Sequence, residues 1–389
     1  MKLASKMYRL GTESAFKVLA QAQALEAKGM SVVHLEIGEP DFDTPPNIRD
    51  AAAKAMNSGF THYSNSQGII PLRKEIANQF EKRFSYAVEP DRIIVTPGAK
   101  PIMFYAIIAL LEEGDEAIYP DPGFPIYESM INFTGAKAVP APLREDLEFR
   151  LDVRELETLI TPRTRLIILN SPHNPTGSVL SESDVRRIAE LAKKNNIVVF
   201  SDEVYDQICY DEKPMSFASV PGMLDQTILL NGFSKTYAMT GWRLGYAVVP
   251  RELVDPINKL IVNSVSCTPT FIQYAGIEAL TGPQDSVPVM VEEFRKRRDM
   301  FVNGLNEIYG ISCVMPKGAF YVFPNIKKLG MTSDQVFDYF LNDAGVAALS
   351  GTAFGKYGEG YLRMSYATSQ ANLKKALERI SDAVTKLGK

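Results

Sequence analysis

Between about residues 90 and 250 the chain alternates two kinds of apolar pattern. Short runs rich in β-branched residues fall at 93–95, 117–119, 166–169, 197–200, 227–230 and 245–249. Amphipathic stretches with helical spacing lie between several of them, 182–195 among them. Strands that alternate with helices need crossover connections. They predict an α/β fold with a mostly parallel sheet sandwiched by helices. The longest unbroken apolar run, 102–111, is about half the length of a bilayer span and predicts a buried helix.

The flanks have a different rhythm. Residues 1 to about 45 hold one helical pattern, 14–28, and a proline-rich turn at 39–46. From about 285 the chain predicts a charged helix (291–308), short strands near 319–323 and 360–365, and a final helix (370–387). Both flanks together predict a smaller α+β domain with an N-terminal arm, made of 1–45 and 285–389. The large domain is then 46–284, with the turn signal Thr-Gly-Pro-Gln at 281–284 marking its end.

Charge and composition narrow the function classes. The 42 basic and 46 acidic residues are spread along the chain without a block, which gives no reason to expect nucleic acid or a membrane as partner. The N-terminus has basic residues but no apolar segment after them, so no secretory signal is expected. Cys209, Cys267 and Cys313 are few and widely spaced, which fits a reducing cytoplasm rather than a disulfide framework. The three histidines, His34, His62 and His173, form no zinc-type motif, and no metal site is expected. Catalysis must then draw on something other than a histidine relay or a bound metal ion.

In an open parallel sheet, ligands bind outside the carboxyl ends of the strands. After 93–95 comes Thr-Pro-Gly-Ala-Lys-Pro (96–101), a glycine turn that opens a helix. It is either an ordinary strand–helix turn or an anion cradle made of free backbone N–H groups. After 117–119, Phe124 stands between prolines on a stiff loop, as a hydrophobic plug or as a ring face for a flat ligand. After 166–169, Asn174 precedes Pro175, which disfavours a helical backbone and turns its amide outward. After 197–200, Ser-Asp-Glu-Val-Tyr (201–205) puts an acid at the end of a buried strand. There it either caps a helix or needs a cation. After 227–230, Lys235 sits in an apolar loop, where a depressed pKa and Schiff-base chemistry become possible. Taken together, one sheet edge collects a phosphate cradle, a ring, an amide, a carboxylate, a phenol, a lysine and an arginine. That inventory suits a planar phosphorylated aldehyde, pyridoxal 5'-phosphate.

Three stretches carry a family resemblance: Gly-Phe-Ser-Lys-Thr-Tyr-Ala-Met-Thr-Gly-Trp-Arg-Leu-Gly (232–245), Asn-Pro-Thr-Gly (174–177) and Ser-Asp-Glu-Val-Tyr (201–205). From 37–40 to 361–367 the chain resembles the class I/II aminotransferases of the aspartate aminotransferase superfamily, the fold type I pyridoxal phosphate enzymes, and in particular their bacterial aspartate aminotransferases. The resemblance implies roles. Lys235 carries the cofactor and moves the substrate Cα proton. Asp202 pairs with the ring nitrogen. Asn174 and Tyr205 hydrogen-bond the ring's phenolic oxygen, and Phe124 stacks on the ring. Arg243 and the amides of Ala99 and Lys100 hold the phosphate, and Tyr63 reaches the phosphate of a neighbouring subunit in a homodimer. Arg363 clamps the substrate α-carboxylate, with Gly38, Asn174 and Phe124 beside it.

The same resemblance implies a ping-pong transfer from an L-amino acid to 2-oxoglutarate. Lys100 occupies the position at which some bacterial relatives meet a distal carboxylate, so aspartate is the first expectation. Thr12 and Ser14 are candidates for a second contact, whereas Phe16 would favour aromatic or aliphatic side chains. Aromatic or alanine transamination is the alternative, followed by a C–S lyase on the same fold. A regulator role lacks room for a DNA-binding segment ahead of Gly38. Two positions depart from the family pattern. Gly232 stands where relatives carry a phosphate-binding serine, with Ser234 a possible substitute. Leu-Ser-Gly (349–351) replaces Val-Pro-Gly in a loop near the active-site entrance.

Overall fold

Each of the six β-branched runs falls in a strand of one sheet. The computed structural model describes residues 2–211 and 213–388. Its strands are β1 (Val33–His34), β2 (Ile93–Thr96), β3 (Glu116–Asp121), β4 (Lys137–Pro142), β5 (Thr164–Asn170), β6 (Val198–Asp202), β7 (Thr227–Gly232), β8 (Gly245–Val248), β9 (Tyr321–Val322), β10 (Val346–Ala347), β11 (Leu349–Ser350) and β12 (Leu362–Ser365). Its helices are α1 (Ala15–Glu26), α2 (Pro46–Asn57), α3 (Ile70–Phe84), α4 (Lys100–Leu110), α5 (Ile126–Thr134), α6 (Val153–Leu159), α7 (Glu182–Asn195), α8 (Arg251–Val262), α9 (Thr270–Thr281), α10 (Ser286–Glu307), α11 (Ser333–Asn342) and α12 (Gln370–Lys386).

The large sheet has seven strands in the order β2-β8-β7-β6-β5-β3-β4. All neighbours are parallel except β8, which runs antiparallel to β2 and β7. The sequence pattern missed β4, because its Lys-Ala-Val-Pro-Ala-Pro run holds two prolines. It pairs only with β3 at the sheet edge, where a missing N–H is tolerated. The pattern also left out α2 and α3, which follow the proline-rich turn.

Alternation within the strands explains the two helix layers. Leu166 and Ile168 of β5 join a core with residues of α4, α5 and α8. Ile167 and Leu169, on the opposite face, join a core with residues of α6 and α7. A further core under β2, β7 and β8 is closed by α2, α3 and α9. Helix α7 illustrates the local logic. Ser181 and Asp184 form a reciprocal capping box, Asn196 ends the helix in a left-handed conformation, and Val185, Ile188 and Leu191 face inward. Each such aliphatic side chain contributes about 1.5–3 kcal/mol on burial.

The chain ends build a smaller unit. Strand β1 pairs in parallel with β10, and β11, β12 and β9 form a short antiparallel sheet. Val33 and Leu35 pack with Phe294, Phe320, Phe340, Leu362, Leu373 and Ile380 in one core. The last helix, α12, and the long α10 both contribute to it. Residues 349–351 are a short strand and a turn rather than a loop, with Leu349 directly opposite Arg363.

Candidate active site

The C-terminal ends of β5, β6 and β7 meet at one cavity of about 800 Å³. Register fixes the arrangement: Asn170 pairs with Asp202 across β5 and β6. The Asn170 amide donates to the Asp202 backbone carbonyl at 3.1 Å, and its side-chain oxygen accepts from the Asn174 N–H at 2.8 Å. Asn174 is thereby held on the wall, with its own side-chain oxygen buried and without a partner among the described residues.

Asp202 ends β6 with its carboxylate almost fully buried. It accepts from the Tyr127 hydroxyl at 2.6 Å and weakly from the Val204 N–H at 3.3 Å. Burial pushes its pKa up to about 6, against the pull of these two donors. The Lys235 charge also acts on it, but no cation makes an ion pair with it among the described residues, which is a costly state for a buried carboxylate.

Lys235 lines the same cavity from the loop after β7. Its ammonium donates to the Gly38 carbonyl at 2.5 Å and stands over the rings of Tyr205 and Phe320. Burial, acting against Glu39 and together with the charges of Arg363, Lys100 and Arg243, lowers its pKa to about 8. An amine so depressed is free base often enough near neutral pH to act as a nucleophile or proton carrier.

Gly38 has a steric reason for its identity. A Cβ there would lie 2.2 Å from the Tyr321 hydroxyl. Tyr321 in turn bonds the Tyr205 hydroxyl at 2.8 Å, and the Arg363 guanidinium sits 4.6 Å from its ring. Burial raises the Tyr205 phenol well above its ordinary pKa, so it is a donor. Arg363 projects from β12 and is buried; its Nη2 donates to the Glu36 carbonyl. Its Nε has no partner among the described residues. A buried guanidinium with free donors is built to meet a planar anion.

The glycine turn before α4 is also tightly specified. Gly98 has φ +86°, and a Cβ on it would lie 2.3 Å from Arg243 Nη2. A Cβ on Gly245 would lie 2.5 Å from the Ala99 nitrogen. Two glycines therefore let β8, the turn and Arg243 converge. No side chain caps α4, and Ala99 and Lys100, where the uncapped amides of the helix start, line the cavity. Arg243 itself takes a left-handed backbone, φ 56°, and donates to the Thr240 carbonyl at 2.8 Å.

The residues expected from the sequence thus gather at one place: Lys235, Asp202, Tyr205, Asn174, Phe124, Ala99, Lys100, Arg243, Arg363 and Gly38 all line this cavity. Ser14, Phe16, Gly232 and Ser234 line it too, whereas Thr12 lines a smaller neighbouring cavity. Tyr63 does not line it; its side chain is 90% exposed. Sequence reasoning gave no role to Tyr127, Tyr321, Asn170 or Glu13. Tyr127 had one signal, its place one helical turn after Phe124, and the two rings meet edge to face at 5.8 Å.

Among the described residues, no group of three or more His, Cys, Asp or Glu side chains could hold a metal ion. Nor is any helix of the described residues long and apolar enough to cross a membrane. The cavity suits pyridoxal 5'-phosphate on its own features: an open anion cradle, a buried carboxylate without a cation, and a lysine with a depressed pKa.

Comparisons with known proteins extend over nearly the whole chain. The family described as aminotransferase class I and II matches residues 30–380. An aspartate aminotransferase of Pyrococcus abyssi is 43% identical, over 91% of this chain and 92% of its own length. An aromatic-amino-acid aminotransferase of Thermococcus litoralis is 39% identical, over 98% of this chain and 97% of its own. The crystal structure of an aspartate aminotransferase from Rhizobium meliloti superposes with a TM-score of 0.95 at 39% identity, covering 99% of both chains. With likeness of this extent joined to a cavity of this chemistry, the chain belongs to the class I and II aminotransferases, enzymes that transfer amino groups with pyridoxal 5'-phosphate.

Proposed function

We propose that this enzyme transfers the amino group of L-aspartate to 2-oxoglutarate by a ping-pong mechanism. The supporting observation is the count of cations around Lys235. Arg243, Arg363 and Lys100 each act on its charge from a different side chain of one cavity. The cofactor phosphate and the substrate α-carboxylate would balance Arg243 and Arg363, and a distal carboxylate would take Lys100 once its pair with Glu13 opens.

In this reading Arg243 and the amides of Ala99 and Lys100 hold the phosphate, and Phe124 packs on the ring. Asn174 and Tyr205 donate to the ring's phenolic oxygen. Asp202 holds a proton at the ring nitrogen, and that charge supplies the cation its carboxylate lacks. When bound, the cofactor supplies an electron sink next to the substrate Cα. Arg363 and the Gly38 N–H hold the α-carboxylate, which aims the Cα–H bond at Lys235. Lys235 carries the cofactor between turnovers and moves the proton at Cα. Tyr63 extends to the phosphate of a second copy, which makes the functional unit a homodimer; a fully active monomer in sedimentation would remove that part.

A second reading, aromatic amino-acid transfer, is favoured by Phe16, Leu19 and Met103 on the cavity wall. An absorbance titration separates the two. L-aspartate should bleach the visible cofactor band, and 2-oxoglutarate should restore it. A band that responds to L-phenylalanine and ignores aspartate would reject the aspartate assignment.

A further inference from the structure

The side-chain end of the cavity holds an ion pair that none of these roles uses. Lys100 Nζ is paired with Glu13 Oε1 and lies 5.5 Å above the Phe124 ring. Glu13 belongs to the segment just before α1, yet its side chain is the more buried partner, 18% exposed against 44% for Lys100. It lines the cavity, and its charge acts on Arg363 and Tyr321 across it. Lys100 is its only hydrogen-bond partner among the described residues.

We propose that Glu13 determines substrate selectivity: its carboxylate occupies the place on Lys100 that the distal carboxylate of an acidic substrate must take. The inference rests on the role proposed above for Lys100. A ping-pong transferase admits two different side chains to one cavity in each cycle. With the pair closed, Lys100 is neutralised, and Phe16, Leu19, Met103 and Leu349 offer an apolar wall to an uncharged side chain. With a dicarboxylate present, one carboxylate replaces another on Lys100, and Glu13 turns to solvent with no other side-chain bond to break. Acidic ligands must therefore compete with a group tethered to the protein, whereas aromatic ligands leave it in place and gain from it. Partly exposed pairs of this kind correspond to about a five-fold effect on binding.

The test uses holoenzyme with Glu13→Gln and Glu13→Ala, and two ligands that cannot react. Maleate carries two carboxylates, and 3-phenylpropionate carries one carboxylate and a ring. Dissociation constants come from calorimetry. The ratio of maleate affinity to phenylpropionate affinity should rise about five-fold or more in both variants. A ratio that stays level or falls while the wild type binds maleate overturns the inference alone. A wild type and variants that bind phenylpropionate but never maleate would overturn the role of Lys100, and the inference with it.

Discussion

The two ends of the cavity are built on different terms. At the ring end, Asp202, Asn170 and Asn174 are buried, come from adjacent strand ends, and are tied to one another or to Tyr127 by bonds of 2.6–3.1 Å. At the side-chain end, Glu13 and Phe16 come from the segment around the start of α1, and Phe16 is 66% exposed. Sheet register therefore fixes the groups at the ring end, because moving β5 or β6 by a residue would turn its own group, Asn170 or Asp202, away and break the contact between them. At the side-chain end Glu13 and Phe16 hang from one partly exposed segment, opposite Lys100 and Met103 of α4. Residues there can change without disturbing the sheet, so substrate preference is free to vary where the reaction is not.

The largest break in this comparison should come from Lys235→Ala. Rapid-mixing measurement of a single half-reaction should show a loss of at least about 10⁴-fold for every amino acid tried. Phe16→Ala, by contrast, should change the ratio between aspartate and phenylalanine while leaving the sum of chemistry intact. Equal losses for both substrates in Phe16→Ala would erase the distinction between the two ends.

Asp202→Asn should come next, with kcat reduced about 10²–10³-fold. Its Tyr127 contact can persist, so a melting temperature close to the parent's would separate lost chemistry from lost folding. A variant that keeps most of its kcat would mean that Asp202 does not hold the proton at the ring nitrogen.

A third effect is on stability rather than rate. In cofactor-free protein, burial holds Lys235 at a pKa of about 8, below the ordinary lysine value of 10.5. Between those two values the unfolded chain binds more protons than the native one, so native stability rises with pH across that window. Below about pH 8 the cost is fully present. Lys235→Met should accordingly be more stable than the parent at pH 7, by about 3 kcal/mol, with the gap narrowing toward pH 10. Thermal melts of the cofactor-free proteins at three pH values would decide it; a gap independent of pH contradicts the assignment.

Gly232→Ser should have the smallest effect. Its Cβ would come within 3.3 Å of the Leu244 carbonyl and 3.8 Å of the Ala99 side chain, which needs only a slight shift. The added hydroxyl at the cradle should tighten cofactor binding about three-fold, the scale of one net hydrogen bond. Fluorescence titration of cofactor-free protein measures it directly. Weaker binding would show that the departure at Gly232 is fixed by backbone packing.

Much of the ring end was legible in the sequence. Strand ends announce themselves through β-branched runs, and the polar residue after each run falls at the cavity by the logic of a parallel sheet. The side-chain end was not legible in the same way. Glu13 precedes a helix and resembles any first-turn acid, and only the meeting of that segment with α4 gives it Lys100 as a partner. Tyr127 was hidden because it carries a phenol into a helix start that looks apolar. Strand β4 was hidden by its prolines, and β1, β10 and β11 by their length of two residues each, too short for any alternation to register.

The pairing of β1 with β10 also has a consequence for how the protein comes into being. Val33 finds its partner only at Val346, and Gly38 is packed against Tyr321. The strands from β2 to β8 can associate through far shorter loops. Contacts between such distant parts of a chain carry the larger closure entropy and form late. During synthesis β1 must therefore wait, unpaired, until nearly the whole chain has left the ribosome. The corner where Arg363 meets the β1 segment, proposed above to hold the substrate's carboxylate, is then among the last parts of the enzyme to form. A chain stopped short of β10 could still raise the sheet that faces the cofactor, and would have nothing with which to hold an amino acid against it.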